Sequence, residues 1–346
     1  MKEVLIEDFK QITERELPWE DLRNKTFLIT GATGLIGSLL TKFLLYANRT
    51  MELNATILAV VRSTAKADQI FAEDKTDALS YVVADLAKEK VSFEGSCDYM
   101  IHAAAVTASK VMVSDPVGTI RTAIDGTEKM LQLAVEKKAK AFVYISSMEI
   151  YGQPKTDGKT AEKDLGYVDI ETVRSCYPEG KRMCECLCTA YAAQYGVNVI
   201  SARLAQTFGA GILPTENRVF AQFARSAMKE ENIVLHTTGE SEGNYVYTAD
   251  AIAAILTLLV KGKAGEAYNI ANENSHITIR EMAELVAHEI AEDKIQAVID
   301  IPEDSASLGY APPVKMWLDA SKMRALGWQP QVGLTDAYRR MIRWME

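Results

Sequence analysis

Thr26-Phe27-Leu28-Ile29-Thr30-Gly31-Ala32-Thr33-Gly34-Leu35-Ile36-Gly37 is the stretch whose reading decides the fold. Thr26 to Thr30 is a short apolar strand, and the glycines that follow lead directly into Leu35 to Leu45, a helical run. Strand, glycine turn and helix in this order let a pyrophosphate reach the helix N-terminus. Unpaired N–H groups and the helix dipole bind anions there. Gly31, Thr33, Gly34, Leu35, Ile36 and Gly37 are therefore the candidate phosphate-binding residues of a dinucleotide site.

The pattern continues outward from this unit. Apolar strands are expected at Thr56 to Val61, at Tyr81 to Ala84 ending in Asp85-Leu86, and at Tyr99 to His102 ending in Ala103-Ala104-Ala105. A helix from about Thr119 to Lys138 precedes a further strand, Ala141 to Ile145, which ends in Ser146-Ser147-Met148-Glu149-Ile150-Tyr151-Gly152. Alternation of this kind implies an α/β fold, a doubly wound parallel sheet of the Rossmann type, with ligands at the carboxyl ends of the strands. Asp85, Leu86, the three alanines, Ser147 and Glu149 all fall at such ends. The expected organisation is a helical extension over 1–24, a dinucleotide-binding domain over 25–205 with returns near 248–290, and a smaller lobe from 206–247 and 291–346.

An NAD site normally has an acid near the end of the second strand to hold the ribose diol. This chain has Val61-Arg62-Ser63 there, with Lys66 close by, and a guanidinium suits a 2′-phosphate. Arg62 therefore favours NADP, with NAD open if Arg62 is only a surface residue. The segment Tyr46 to Asn54 is expected to be a longer loop.

Tyr177-Pro178-Glu179-Gly180-Lys181 places a phenol and an ammonium four residues apart, on one helix face. A nearby ammonium favours the phenolate and draws its pKa toward neutrality, making the tyrosine a usable acid or base. Pro178 fits the first helical turn. Gly180 costs about 1 kcal/mol against alanine and would make sense where something approaches the backbone closely. His102, alone beside an apolar strand, reads as a structural residue.

The 346 residues carry a net charge of -9, which argues against nucleic acid or an anionic membrane as partner. No stretch suits a signal peptide or reaches membrane-spanning length; the most apolar, Ala251 to Val260, is half that. A cytoplasmic protein is expected, and its five cysteines read as reduced thiols. Cys184 and Cys188 share one helix face while Cys186 points away, so the three cannot hold one ion and no metal is expected. Leu5, Phe9 and Ile12 give the first residues an amphipathic helix, followed by a link through Pro18. Thr278-x-x-Glu281 reads as a capping box.

Taken together, Thr30-Gly31-x-x-Gly34-x-x-Gly37, Asp85-Leu86, the alanine run, Ser147 with Tyr151-Gly152, and Tyr177-x-x-x-Lys181 resemble the extended short-chain dehydrogenase/reductases that act on nucleotide sugars. Leu318-Asp319-Ala320-Ser321-Lys322 and Leu326-Gly327-Trp328-Gln329-Pro330 look like that family's C-terminal portion. Arg174-Ser175-Cys176-Tyr177-Pro178-Glu179-Gly180-Lys181-Arg182 is similar to its UDP-glucuronate decarboxylase branch. The resemblance implies that Tyr177 takes the proton of a sugar hydroxyl at C4 while hydride passes to bound NAD or NADP. Lys181 would lower the phenol's pKa and hold the nicotinamide ribose, Ser147 would bond the reacting oxygen, and Glu149 would act as base or proton shuttle.

Decarboxylation, 4,6-dehydration and 4-epimerisation all start from that oxidation. Met148 stands where the dTDP-glucose dehydratases have the aspartate that protonates the leaving hydroxyl, which weakens dehydration. Gly243 stands where the decarboxylase branch has an arginine before the Tyr245-x-Tyr247 stretch. Carboxylate or diphosphate recognition would then fall to Arg218 or Lys315. Gln206 replaces the family's asparagine, and Val219 and Gln222 would face the nucleotide base. A homodimer is implied. A protein of another class, one that senses NAD(P) without turnover, would usually have lost the tyrosine or the lysine.

Overall fold

Seven short apolar strands build one all-parallel sheet in the computed structural model, which describes residues 1–154, 158–302 and 314–346. The strands of the chain are β1 (Thr26–Thr30), β2 (Thr56–Val61), β3 (Leu79–Val83), β4 (Tyr99–His102), β5 (Ala141–Ser147), β6 (Val199–Leu204), β7 (Gln206–Phe208), β8 (Ile233–Leu235), β9 (Glu242–Tyr247), β10 (Ala267–Ile270), β11 (Asn272–Thr278) and β12 (Ala297–Ile299). The large sheet runs β10-β6-β5-β4-β1-β2-β3. From β1 the chain moves to one edge through β2 and β3, then crosses back to β4 and builds the other half. The crevice between β1 and β4, where Thr30 lies level with His102, is thus the point at which strand order reverses. Ligands bind at such a point in open parallel sheets.

The helices are α1 (Glu3–Thr13), α2 (Trp19–Leu22), α3 (Leu35–Met51), α4 (Thr64–Phe71), α5 (Ser109–Ser114), α6 (Pro116–Glu136), α7 (Cys176–Tyr195), α8 (Val219–Lys229), α9 (Thr248–Lys261), α10 (Ile279–Leu285), α11 (Ser321–Arg324) and α12 (Leu334–Met345). Strand side chains alternate between two cores. Leu28, Met100, Phe142 and Tyr144 pack with Met130 and Leu131 of α6 and Cys184 and Cys188 of α7. Phe27, Ile29, Ile101 and Val143 pack on the opposite side with Leu40 and Phe43 of α3 and Ile252 and Leu256 of α9. Each such buried Leu, Ile or Phe contributes about 1.5–3 kcal/mol.

Tyr46 to Asn54 is not a long loop. Helix α3 continues to Met51 and stops at Glu52, whose φ of 50° is left-handed. Asn48 makes this extension worthwhile: its side chain donates to the Ala55 carbonyl at 2.8 Å and accepts the Ala55 N–H at 2.7 Å, bridging the helix end to β2. Helix α6 begins at Pro116, one turn before Thr119, because Asp115 caps it by accepting the Gly118 N–H at 3.0 Å.

Beyond β6 the chain forms a second, three-stranded sheet, β11-β9-β7, and the parallel pair β12-β8. Phe208 of β7 stacks on Phe220 of α8 at 4.7 Å between ring centroids. Strand β10 returns to the edge of the large sheet, while β11 pairs with β9 in the small one. Part of the expected C-terminal lobe, residues 303–313, lies outside the described residues. The capping box at Thr278 and Glu281 opens α10.

Helix α1 buries Val4, Leu5, Phe9 and Ile12, with Phe9 edge-on to Phe43 at 5.6 Å. Beyond it Arg15 pairs with the fully buried Asp250 at 2.5 Å. The last helix closes over it: Arg340 bonds Asp8 at 2.7 Å, and Arg343 grips both oxygens of Glu7 at 2.8 Å. Among the described residues no helix is long and apolar enough to cross a membrane.

Candidate active site

Ser147 ends β5, Glu149 sits in the 3-10 turn Met148–Tyr151 that follows, and Tyr177 and Lys181 occupy successive turns at the start of α7. Helix α7 packs across β5, so the strand end and the helix start converge. Ser147 Oγ accepts the Glu149 N–H at 3.2 Å, and the serine is also hydrogen-bonded to the Tyr177 phenol. Lys181 is buried, and its Nζ donates to the Ile145 carbonyl at 2.7 Å. Its ammonium lies 4.6 Å from the Tyr144 ring centroid and 5.8 Å from that of Tyr177. Gly180 meets no backbone: a Cβ there would lie 3.6 Å from Cβ of Ala123, an ordinary contact, so no close approach in this structure requires the glycine.

Electrostatics correct one expectation. The Tyr177 phenol is pushed up to about 12, chiefly by burial and then by the negative charge of Glu149. Ser147, Arg174 and Arg218 oppose that rise without overcoming it. Lys181 itself is driven down to about 8 by burial. The spacing of the pair is as expected, but the ammonium is turned to a carbonyl rather than to the phenol's oxygen, and desolvation wins. His102 bonds Thr30 Oγ1 through Nδ1 at 2.7 Å, and burial, helped by the charge of Lys181, lowers it to about 3. It is neutral and structural.

Behind this cluster lies a buried polar layer. Arg203 of β6 bonds both Glu185 oxygens, at 3.0 and 3.1 Å from Nε and 2.6 Å from Nη2. Glu185, one turn after Lys181, also accepts from Ser146 Oγ at 2.5 Å. Cys184 and Cys188 are buried on this side of α7 and Cys186 is exposed, as helical geometry requires.

Two strands across from the cluster, at the carboxyl end of the same sheet, is the glycine turn. Gly31 has φ +64°, and a Cβ there would stand 2.7 Å from the Ala103 carbonyl carbon and oxygen. A Cβ at Gly37 would lie 2.3 Å from the Gly31 oxygen, so only glycine lets α3 seat against the turn. Gly34 precedes α3 and no side chain caps it, which leaves first-turn N–H groups, including those of Leu35 and Ile36, for an anion. Thr33 is half-buried in the same turn. Ala103, Ala104 and Ala105 run alongside after β4, the Ala104 N–H donating to Thr30 Oγ1 at 3.2 Å. Across β2, Asp85 accepts the Ala87 N–H at 3.1 Å, Leu86 is buried, and Arg62 stands exposed at the carboxyl end of β2. An uncapped helix start, a glycine cradle and alanines of minimal bulk fit a nicotinamide dinucleotide.

The expected substrate residues are more scattered. Gln206 opens β7, and its buried Oε1 has no donor. Arg218 is held by Glu216 through bonds of 2.9 and 2.6 Å, although its charge still reaches Tyr177. Val219 is half-buried at the start of α8, and Gln222 is exposed, donating to the Asn217 carbonyl at 2.7 Å. The backbone of Lys315 pairs with that of Glu242 on the small sheet, and its side chain is exposed.

One residue at the cluster escaped the reading of the sequence. Arg174, in the 3-10 turn Val173–Ser175, donates from Nη2 to Glu149 Oε1 at 3.0 Å and pairs with Oε2 at 2.9 Å. Its guanidinium carbon lies 5.4 Å from the Tyr177 ring centroid. The signal was its place three residues before Tyr177, one turn back along the chain.

This fold and cluster define a dinucleotide-dependent α/β enzyme of the extended short-chain dehydrogenase/reductase class. Residues 27–271 match the NAD dependent epimerase/dehydratase family, and the chain belongs to that family. It is 30% identical to UDP-glucuronic acid decarboxylase 6 of Arabidopsis thaliana, over 90% of this chain and 86% of the relative. It is 25% identical to dTDP-D-glucose 4,6-dehydratase of Homo sapiens, over 92% of this chain and 89% of that one. The fold matches that of dTDP-glucose 4,6-dehydratase from Streptomyces venezuelae, solved with NAD bound, with a TM-score of 0.72 at 23% identity, over 92% and 96% of the two chains.

Proposed function

We propose that this enzyme oxidises the C4 hydroxyl of a nucleotide sugar with a bound nicotinamide cofactor, and that it is a decarboxylase of the UDP-glucuronate type. The observation that carries the reading is the convergence of Ser147, Glu149, Tyr177 and Lys181 at the same end of the large sheet as the glycine turn. A nicotinamide, when bound, accepts a hydride and later returns it. The chain's own residues do the rest: Tyr177, in its ionised form, takes the carbinol proton, and Ser147 holds the oxygen that loses it. Lys181 supplies a buried positive charge beneath the phenol, and Glu149 stands ready to move a proton at the neighbouring carbon. The decarboxylase reading is supported by the relatives named above and by Met148, which has no proton to give a departing hydroxyl.

A 4,6-dehydratase is the second reading, favoured by the retained Glu149 and by the dehydratase relatives; a 4-epimerase needs only hydride return to the other face. A non-catalytic NAD(P) sensor is the reading of another class, against which stands the intact Tyr177, Lys181 and Ser147 set. Arg62 supports NADP over NAD. Gln206, Arg218, Val219 and Gln222 would line the sugar-nucleotide side, beneath a lobe formed from 206–247 and 291–346. The proposal includes a cytoplasmic homodimer. Incubation with UDP-glucuronate, UDP-glucose, dTDP-glucose and GDP-mannose, followed by mass spectrometry, tests it: loss of carbon dioxide from UDP-glucuronate is expected. Loss of water would shift the assignment to a dehydratase. No change in mass would leave epimerisation, read by NMR, or refute the enzyme reading if absorbance near 340 nm never changes.

A further inference from the structure

Gly243 at the start of the Gly243-Asn244-Tyr245-Val246-Tyr247 stretch carries no charge, so a carboxylate-bearing sugar needs a cation from elsewhere. Lys181 is committed to the Ile145 carbonyl, Arg218 is held by Glu216 through two bonds, and Lys315 stands exposed where its backbone pairs with Glu242 of the small sheet. Arg174 differs from all three. Nη2 alone meets Glu149, donating to Oε1 and lying 2.9 Å from Oε2, while Nη1 is buried without a partner. A charged donor shut away from water and unpaired is costly, which favours any rearrangement that supplies an acceptor. The pair that holds it is easily exchanged, because Arg174 is 31% and Glu149 37% exposed, and half-exposed ion pairs contribute little. The guanidinium also stands over the Tyr177 ring, beside the group that acts on the sugar.

We propose that Arg174 is the carboxylate receptor of this site: it exchanges Glu149 for the acid group of a nucleotide-linked uronic acid, leaving Glu149 unpaired beside the reacting carbons. This deepens the function proposed above and rests on it. A planar guanidinium can take a carboxylate on two nitrogens at once, so the incoming acid satisfies Nη1 as well as Nη2. A neutral sugar offers nothing to displace Glu149. The exchange therefore selects acidic sugars and frees the proton-transfer group only when one is present.

Calorimetric titration of the purified protein with UDP-glucuronate and UDP-glucose tests the exchange without relying on turnover. The uronate should bind at least tenfold more tightly, and Arg174→Gln should remove that preference while changing UDP-glucose affinity less than twofold. Glu149→Gln should tighten UDP-glucuronate severalfold, and this gain should vanish in the double variant. Equal binding of the two sugars by the parent protein, or a preference that survives Arg174→Gln, would overturn the receptor and leave the nucleotide-sugar reading intact. Equal losses for both sugars in Arg174→Gln would reduce Arg174 to a packing role. Binding of neither, repeated with GDP-mannuronate and GDP-mannose, would overturn both.

Discussion

The Lys181 ammonium donates to the Ile145 carbonyl at 2.7 Å, which fastens the second turn of α7 to the strand that delivers Ser147. Burial at this position holds the lysine down to about 8, so at neutral pH the fold keeps a cation where it is least welcome. The bond to Ile145 fixes that charge beneath the phenol. It also makes Lys181 a residue whose cost to stability and value to chemistry can be separated by experiment.

Lys181→Met should abolish turnover and yet stabilise the cofactor-free protein at pH 7. Below pH 8 the lysine is charged in both folded and unfolded chains, and the fold carries the full penalty, about 3 kcal/mol from the shift between 10.5 and about 8. Losing the bond to Ile145 takes back part, leaving a gain of about 1–2 kcal/mol. Between pH 8 and 10.5 the folded state releases its proton first, wild-type stability rises, and the gain should fade. Urea denaturation at pH 7 and pH 10 reads both parts; a less stable variant at pH 7 would refute the account.

Ser147→Ala should move the pH dependence of turnover. The serine's hydrogen bond is the largest influence lowering the Tyr177 phenol, so its removal lifts that group further. A reaction that needs the phenolate then gains activity only at higher pH, and the rising limb of kcat/KM should shift alkaline. A profile that merely drops in height, with no lateral shift, would place Ser147 outside the ionisation of Tyr177.

Arg62→Ala should weaken NADP at least tenfold while leaving NAD within about twofold, since only the former carries a phosphate for the guanidinium. Fluorescence titration with each cofactor measures this, and equal losses would exclude a 2′-phosphate contact.

Glu185→Leu should destabilise the protein by about 3–5 kcal/mol, because it strands the buried Arg203 charge. Combining it with Arg203→Met should restore most of that, as both charges are then gone. Guanidinium melts of the single and double variants decide the point, and a double variant no better than the single would mean the loss comes from packing.

Much of the fold was legible because its signals are local. The glycine turn at 31–37 and the apolar strands around it can be read within windows of about ten residues, and the large sheet follows from their alternation. Tyr177 and Lys181 were legible for the same reason, being one helical turn apart. What escaped reading depends on partners distant in sequence. Asn48 lengthens α3 only because Ala55 comes back within hydrogen-bond reach. Arg174 joins the cluster only because the turn before α7 folds against the end of β5, bringing it to Glu149. The phenol's ionisation was misjudged because spacing reports proximity, whereas burial and the direction of the ammonium's hydrogen bond decide the charge.

Helix α1 comes early in the chain, yet the guanidinium that neutralises its buried Asp8 is made 332 residues later. Until then this acid has no arginine to meet it, so the corner between α1 and α12 closes late. A chain cut short before α12 would leave that carboxylate with the Tyr247 hydroxyl and no cation, and the cell's quality-control proteases would meet an open seam.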